Sequence, residues 1–76
     1  MNSNPINKET RFLNGTDRSA KVILEPWGEE YVLGPGSTVG VKFSGDPKSE
    51  LLLEVEYVEG GFIVYFPPGF VAEFVQ

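Results

Sequence analysis

Apolar and polar residues alternate along much of this chain. Val39, Val41 and Phe43 alternate with Thr38, Gly40 and Lys42; Leu51, Leu53, Val55 and Tyr57 alternate with Leu52, Glu54, Glu56 and Val58. Near the end, Phe70, Ala72 and Phe74 are opposed to Val71, Glu73 and Val75. A period of two is that of a strand whose two faces meet different surroundings. Val22, Ile23 and Leu24 run consecutively, which suits a strand covered on both sides or a short one near a sheet edge. The pattern predicts about seven short strands, over residues 9–14, 20–25, 29–33, 38–43, 50–59, 62–66 and 70–75, and no helix. The expected inner face of 50–59 is Leu51, Leu53, Val55 and Tyr57.

The breaks between these segments are turn chemistry. Asn14-Gly15 readily takes up hairpin conformations, Pro26 cannot donate a ladder hydrogen bond, and Gly34-Pro35-Gly36, Asp46-Pro47 and Pro67-Pro68-Gly69 punctuate the chain. Gly60-Gly61 allows a tight hairpin that pairs 50–59 with 62–66 antiparallel. Short strands joined mostly by local hairpins predict an all-β fold, a small antiparallel sandwich, with a strongly curved barrel as the alternative. Residues 1–9 hold only Ile6 as an apolar residue after Met1 and are expected to form a loose tail ahead of one domain over 10–76. The stretch Leu33-Gly34-Pro35-Gly36-Ser37-Thr38-Val39 resembles hairpins in bacterial immunoglobulin-like domains; over so few residues the resemblance implies a strand, a turn and a strand.

Composition narrows the chemistry. The chain has 76 residues, no cysteine and no histidine. Disulfides and thiolate zinc sites are excluded, and the commonest metal ligand, general base and neutral-pH switch are missing together. Without cysteine or histidine, no nucleophile has a recognisable activating partner. The net charge is −5, and residues 49–76 carry five glutamates and no base. That balance argues against phosphate-backbone binding and against an anionic membrane surface, so neither nucleic acid nor a membrane is the expected partner. No run approaches the roughly 18 apolar residues of a membrane helix, and the opening MNSNPINKETR has no positive region followed by an apolar one; a cytoplasmic location is expected. Asn14-Gly15-Thr16 matches the glycosylation sequon but reads as a tight turn.

The segment Glu25–Tyr31 holds the only tryptophan in an acidic turn. Trp27, with Tyr31, Glu25, Glu29 and Glu30, is the expected binding surface: aromatic rings supply contact area, and the carboxylates select a basic partner and steer its approach. The expected function is therefore a non-enzymatic protein-interaction module. An alternative is a sandwich in which Trp27 stacks on a small sugar-like ligand whose hydroxyls the carboxylates accept. A weaker one is a carboxylate enzyme, for which two glutamates must be held at different pKa values. No catalytic residue, metal ligand or cofactor is assigned; isolated Asp17 and Asp46 give no calcium loop, and the glycines lie between strands without a phosphate-binding lysine and helix. The aromatics of GGFIVYF are expected in the core. Leu52 and Val58, with whichever of Ile63/Tyr65 and Val71/Val75 face away from the core, are candidates for a second apolar surface; if they form one, another copy of the chain would cover it, since so small a domain gains from an interface.

Overall fold

The computed structural model describes residues 4–76 as seven strands, with no helix among them. They are β1 (Ile6–Leu13), β2 (Ala20–Glu25), β3 (Glu29–Leu33), β4 (Thr38–Gly45), β5 (Glu54–Val58), β6 (Gly61–Tyr65) and β7 (Phe70–Val75). One sheet is three-stranded and antiparallel, in the order β1-β4-β7; the other is four-stranded, in the order β3-β2-β6-β5. The sheets do not close into a barrel. They face each other as a small sandwich.

The core is built where the two alternations meet. Val39, Val41 and Phe43 of β4 are buried, and Phe70, Ala72 and Phe74 of β7 lie on the same side of their sheet. From the other sheet come Val22 and Leu24 of β2, Leu33 of β3, Val64 of β6 and Phe66 just beyond it. Leu24 and Val41 have no exposed surface at all. Each such side chain contributes about 1.5–3 kcal/mol of burial.

Several details differ from the sequence expectation. The first strand starts at Ile6, not at residue 9, and its whole length pairs with β4 from Ile6↔Gly45 to Leu13↔Thr38. Backbone pairing and the half-buried Ile6, packed against the core, hold this polar segment to the sheet. Asn14-Gly15 is not a hairpin turn, because β1 and β2 belong to different sheets. Asn14 is instead buried, its side chain bonded inside the bend, and the bend carries the chain from one sheet to the other. Gly34-Pro35-Gly36 likewise joins β3 to β4 across the sandwich, so the segment that resembles an immunoglobulin-type hairpin is a crossover.

The four-stranded sheet is mixed: β2 and β6 run parallel, Lys21↔Gly61 to Glu25↔Tyr65. β5 and β6 pair antiparallel as expected, but the turn is Glu59-Gly60 rather than Gly60-Gly61, and Gly61 begins β6 opposite Val58. Gly61 also serves the parallel pairing. A Cβ there meets the Lys21 carbonyl, so only glycine lets β6 lie against β2 at this point.

The largest correction concerns residues 50–59. Only Glu54–Val58 is strand, and of the expected inner face Leu53 alone packs against the core: Val55 is 52% and Tyr57 79% exposed, and Leu51 is also exposed. Val55 does point to the core side, since it pairs with buried Val64. However, β5 is the outer strand of a four-stranded sheet facing one of three strands, and no opposing strand among the described residues covers it.

Candidate functional site

Register fixes which side chains share the outer face of the four-stranded sheet. Val22, Leu24 and Val64 point to the core, so Lys21, Ile23, Glu25, Ile63 and Tyr65 point away, and their neighbours on β3 and β5 follow. One row across the sheet reads Glu30, Ile23, Ile63, Glu56. The next reads Glu25, Tyr65, Glu54. Half-buried isoleucines therefore form a short apolar strip with a carboxylate at each end, and Tyr65 lies between two more.

Tyr65 ties the carboxylates together. Its hydroxyl donates to Glu56 Oε1 at 2.8 Å. That bond, with desolvation and the nearby charges of Glu56, Glu25 and Glu54, raises the phenol pKa above its ordinary 10.0. Among the described residues Lys21 is the lone cation on this face, with its Nζ 3.4 Å from Glu30 Oε1. Both groups are more than half exposed, so the pair contributes little. The outer face of the other sheet is different: Lys42 stands in register between Glu9 and Glu73, and Arg11 lies on the same side, so its charges offset one another. Four carboxylates and one lysine thus face outward from the four-stranded sheet, whereas the charges on the other outer face balance.

Trp27 lies at one end of this acidic face. The bend contains a cis Glu25–Pro26 bond and Gly28 at φ 74°, with Gly28 N–H donating to the Leu24 carbonyl at 2.8 Å. Phe66 N–H donates to the Glu25 carbonyl at 3.0 Å, tying the start of the bend to the end of β6. The indole packs on Phe66 with ring centroids 5.6 Å apart and remains 39% exposed. Trp27 is thus pinned on one side and open on the other. Leu52, Leu53, Glu54, Tyr65, Phe66 and Pro67 line a shallow recess that shares Phe66 with it.

The five residues expected to form one surface separate. Glu25 and Glu30 lie on the acidic face and Trp27 at its end, while Glu29 is exposed opposite Leu24 at the start of β3. Tyr31 turns the other way, packing against the core with its ring 5.4 Å from that of Phe74. Glu54, Glu56, Ile63 and Tyr65, absent from that set, join Glu25 instead. Of the GGFIVYF aromatics, Phe66 is buried and Phe62 half-buried, whereas Tyr65 is on the surface.

Among the described residues, no three carboxylates are grouped so as to hold a metal ion, and no helix is long and apolar enough to cross a membrane. No family model matches the chain, and neither a curated protein nor a solved structure shows significant similarity to it.

Proposed function

We propose that this protein is a non-enzymatic interaction module that binds a basic protein segment on the acidic face of its four-stranded sheet, at the Trp27 end. The observation that carries this reading is the clustering of Glu25, Glu54 and Glu56 around Tyr65, beside a half-exposed tryptophan and an apolar recess. An apolar centre with a charged rim is the usual anatomy of a protein interface, in which the aromatic anchors supply most of the affinity and the rim sets orientation and rate. The lining, with Leu52, Leu53, Phe66 and Pro67 beside Glu54, offers apolar contact to a leucine or to the stem of a lysine whose ammonium then meets the carboxylates.

Trp27 is the only tryptophan, so its emission reports on this end of the molecule. A peptide containing lysine and leucine is expected to change the Trp27 emission saturably, with an affinity that falls as salt is raised. A glutamate-containing peptide of equal length is expected to leave it unchanged. The double substitution Glu25→Lys and Glu54→Lys, on exposed or half-exposed positions, should abolish the response while preserving the fold. Equal responses to both peptides, or a response that survives the substitutions, contradict the reading.

A further inference from the structure

We propose that the free edge of β5 receives an extended partner segment in which Lys or Arg alternates with apolar residues, so that the partner adds a strand to the four-stranded sheet. This rests on the interaction-module reading above and specifies how the partner is held.

Hairpin geometry determines which backbone groups are free. Only Glu59 and Gly60 separate the closing pair Val58↔Gly61, so that pair exchanges both of its hydrogen bonds. The pairs Glu56↔Ile63 and Glu54↔Tyr65 follow at every second position. The intervening residues, Val55 and Tyr57, therefore point their N–H and C=O groups away from β6, and among the described residues β5 has no neighbouring strand on that side. They are also the residues whose side chains lie on the uncovered core side, 52% and 79% exposed. Glu54 and Glu56 project from the opposite face.

An edge thus offers free backbone groups, apolar side chains on one face and carboxylates on the other, all in period two. A strand laid beside it places alternate residues on alternate faces. Its apolar residues then cover Val55 and Tyr57, while its cations meet Glu54 and Glu56. A second copy of this chain is a poor occupant, because its own β5 brings glutamates to a protein already at −5. The same glutamates guard the edge against indiscriminate pairing, a common device on exposed strands.

The test is amide hydrogen exchange by NMR, with a synthetic peptide of alternating lysine and valine and a control of equal composition with lysines and valines in separate blocks. In the free protein, the amides of Val55 and Tyr57 are expected to exchange fast, and those of Glu54, Glu56 and Val58 slowly. Saturating alternating peptide is expected to slow Val55 and Tyr57 by about tenfold or more, and the block peptide is not. Val55→Pro removes one outward N–H without touching the bonds to β6, and is expected to weaken the alternating peptide about tenfold, the weight of one hydrogen bond. If that variant unfolds, the exchange pattern of the unsubstituted protein still decides. Binding of both peptides that perturbs Tyr65 without protecting Val55 and Tyr57 overturns strand addition and leaves the interaction reading standing. Failure of both peptides to bind overturns both. Protection of Val55 and Tyr57 that rises with protein concentration alone overturns the proposal in favour of a second copy.

Discussion

Asn14 Nδ2 donates to the Arg18 carbonyl at 2.6 Å and the Leu33 carbonyl at 2.9 Å, and Oδ1 accepts from Thr16 N–H and its hydroxyl. Its own backbone pairs with Ser37 and Gly36, so one 5%-exposed side chain and its peptide groups join two crossovers between the sheets. Removing the amide takes a donor from the buried Leu33 carbonyl, while the Arg18 carbonyl still accepts from the Thr16 hydroxyl at 2.9 Å, and Asn14→Ala is expected to lose about 1–3 kcal/mol in urea unfolding. Asn14→Asp should also destabilise, since it sets a carboxylate oxygen against two carbonyls. From sequence alone Asn14-Gly15-Thr16 suggests a turn or a modification site, because a burial this specific depends on where Leu33 comes to lie. Tyr65 makes a second prediction. Its folded pKa is raised, so the stability of its bond to Glu56 is fully present below pH 10 and lost as pH rises through the folded value. Tyrosinate absorbance should show a component titrating above 10.0 that Tyr65→Phe removes and Glu56→Gln moves back toward 10.0.

At the scale of elements, β4 and β5 show why one alternation predicted burial and another did not. Both read as one apolar face and one polar face. However, β4 is central, between β1 and β7, and β5 is an edge. Periodicity tells which residues share a face; only topology tells whether anything covers it. Strand number and most positions were therefore legible, as were the β5–β6 hairpin and the inner faces of β4 and β7. The parallel β2–β6 pairing was not, since it joins segments with no local turn between them. The candidate site was legible in part: Glu25, Glu30 and Trp27 follow from the acidic turn, whereas Glu54 and Glu56 meet Tyr65 only through the register that Val58↔Gly61 sets. The contrast is measurable. Leu24→Ala should cost about 2–5 kcal/mol and Val55→Ala within about 0.5 kcal/mol, by chemical unfolding.

For the whole molecule, the unequal sheets have two consequences that act together. The three-stranded sheet covers three strands of its partner and leaves β5 projecting, and the surplus of glutamates falls on the same four-stranded sheet. Charge-balanced rows on the other side make that side a poor competitor for a cation. The measurement that tests this account most directly is a map of backbone amide and Trp27 indole chemical shifts as a lysine- and leucine-containing peptide is titrated in at low salt. The account predicts shifts confined to Glu25, Trp27, Glu54, Glu56, Tyr65 and their neighbours, diminishing as salt is added. No shifts, or shifts centred on the Glu9, Lys42 and Glu73 face, would contradict it.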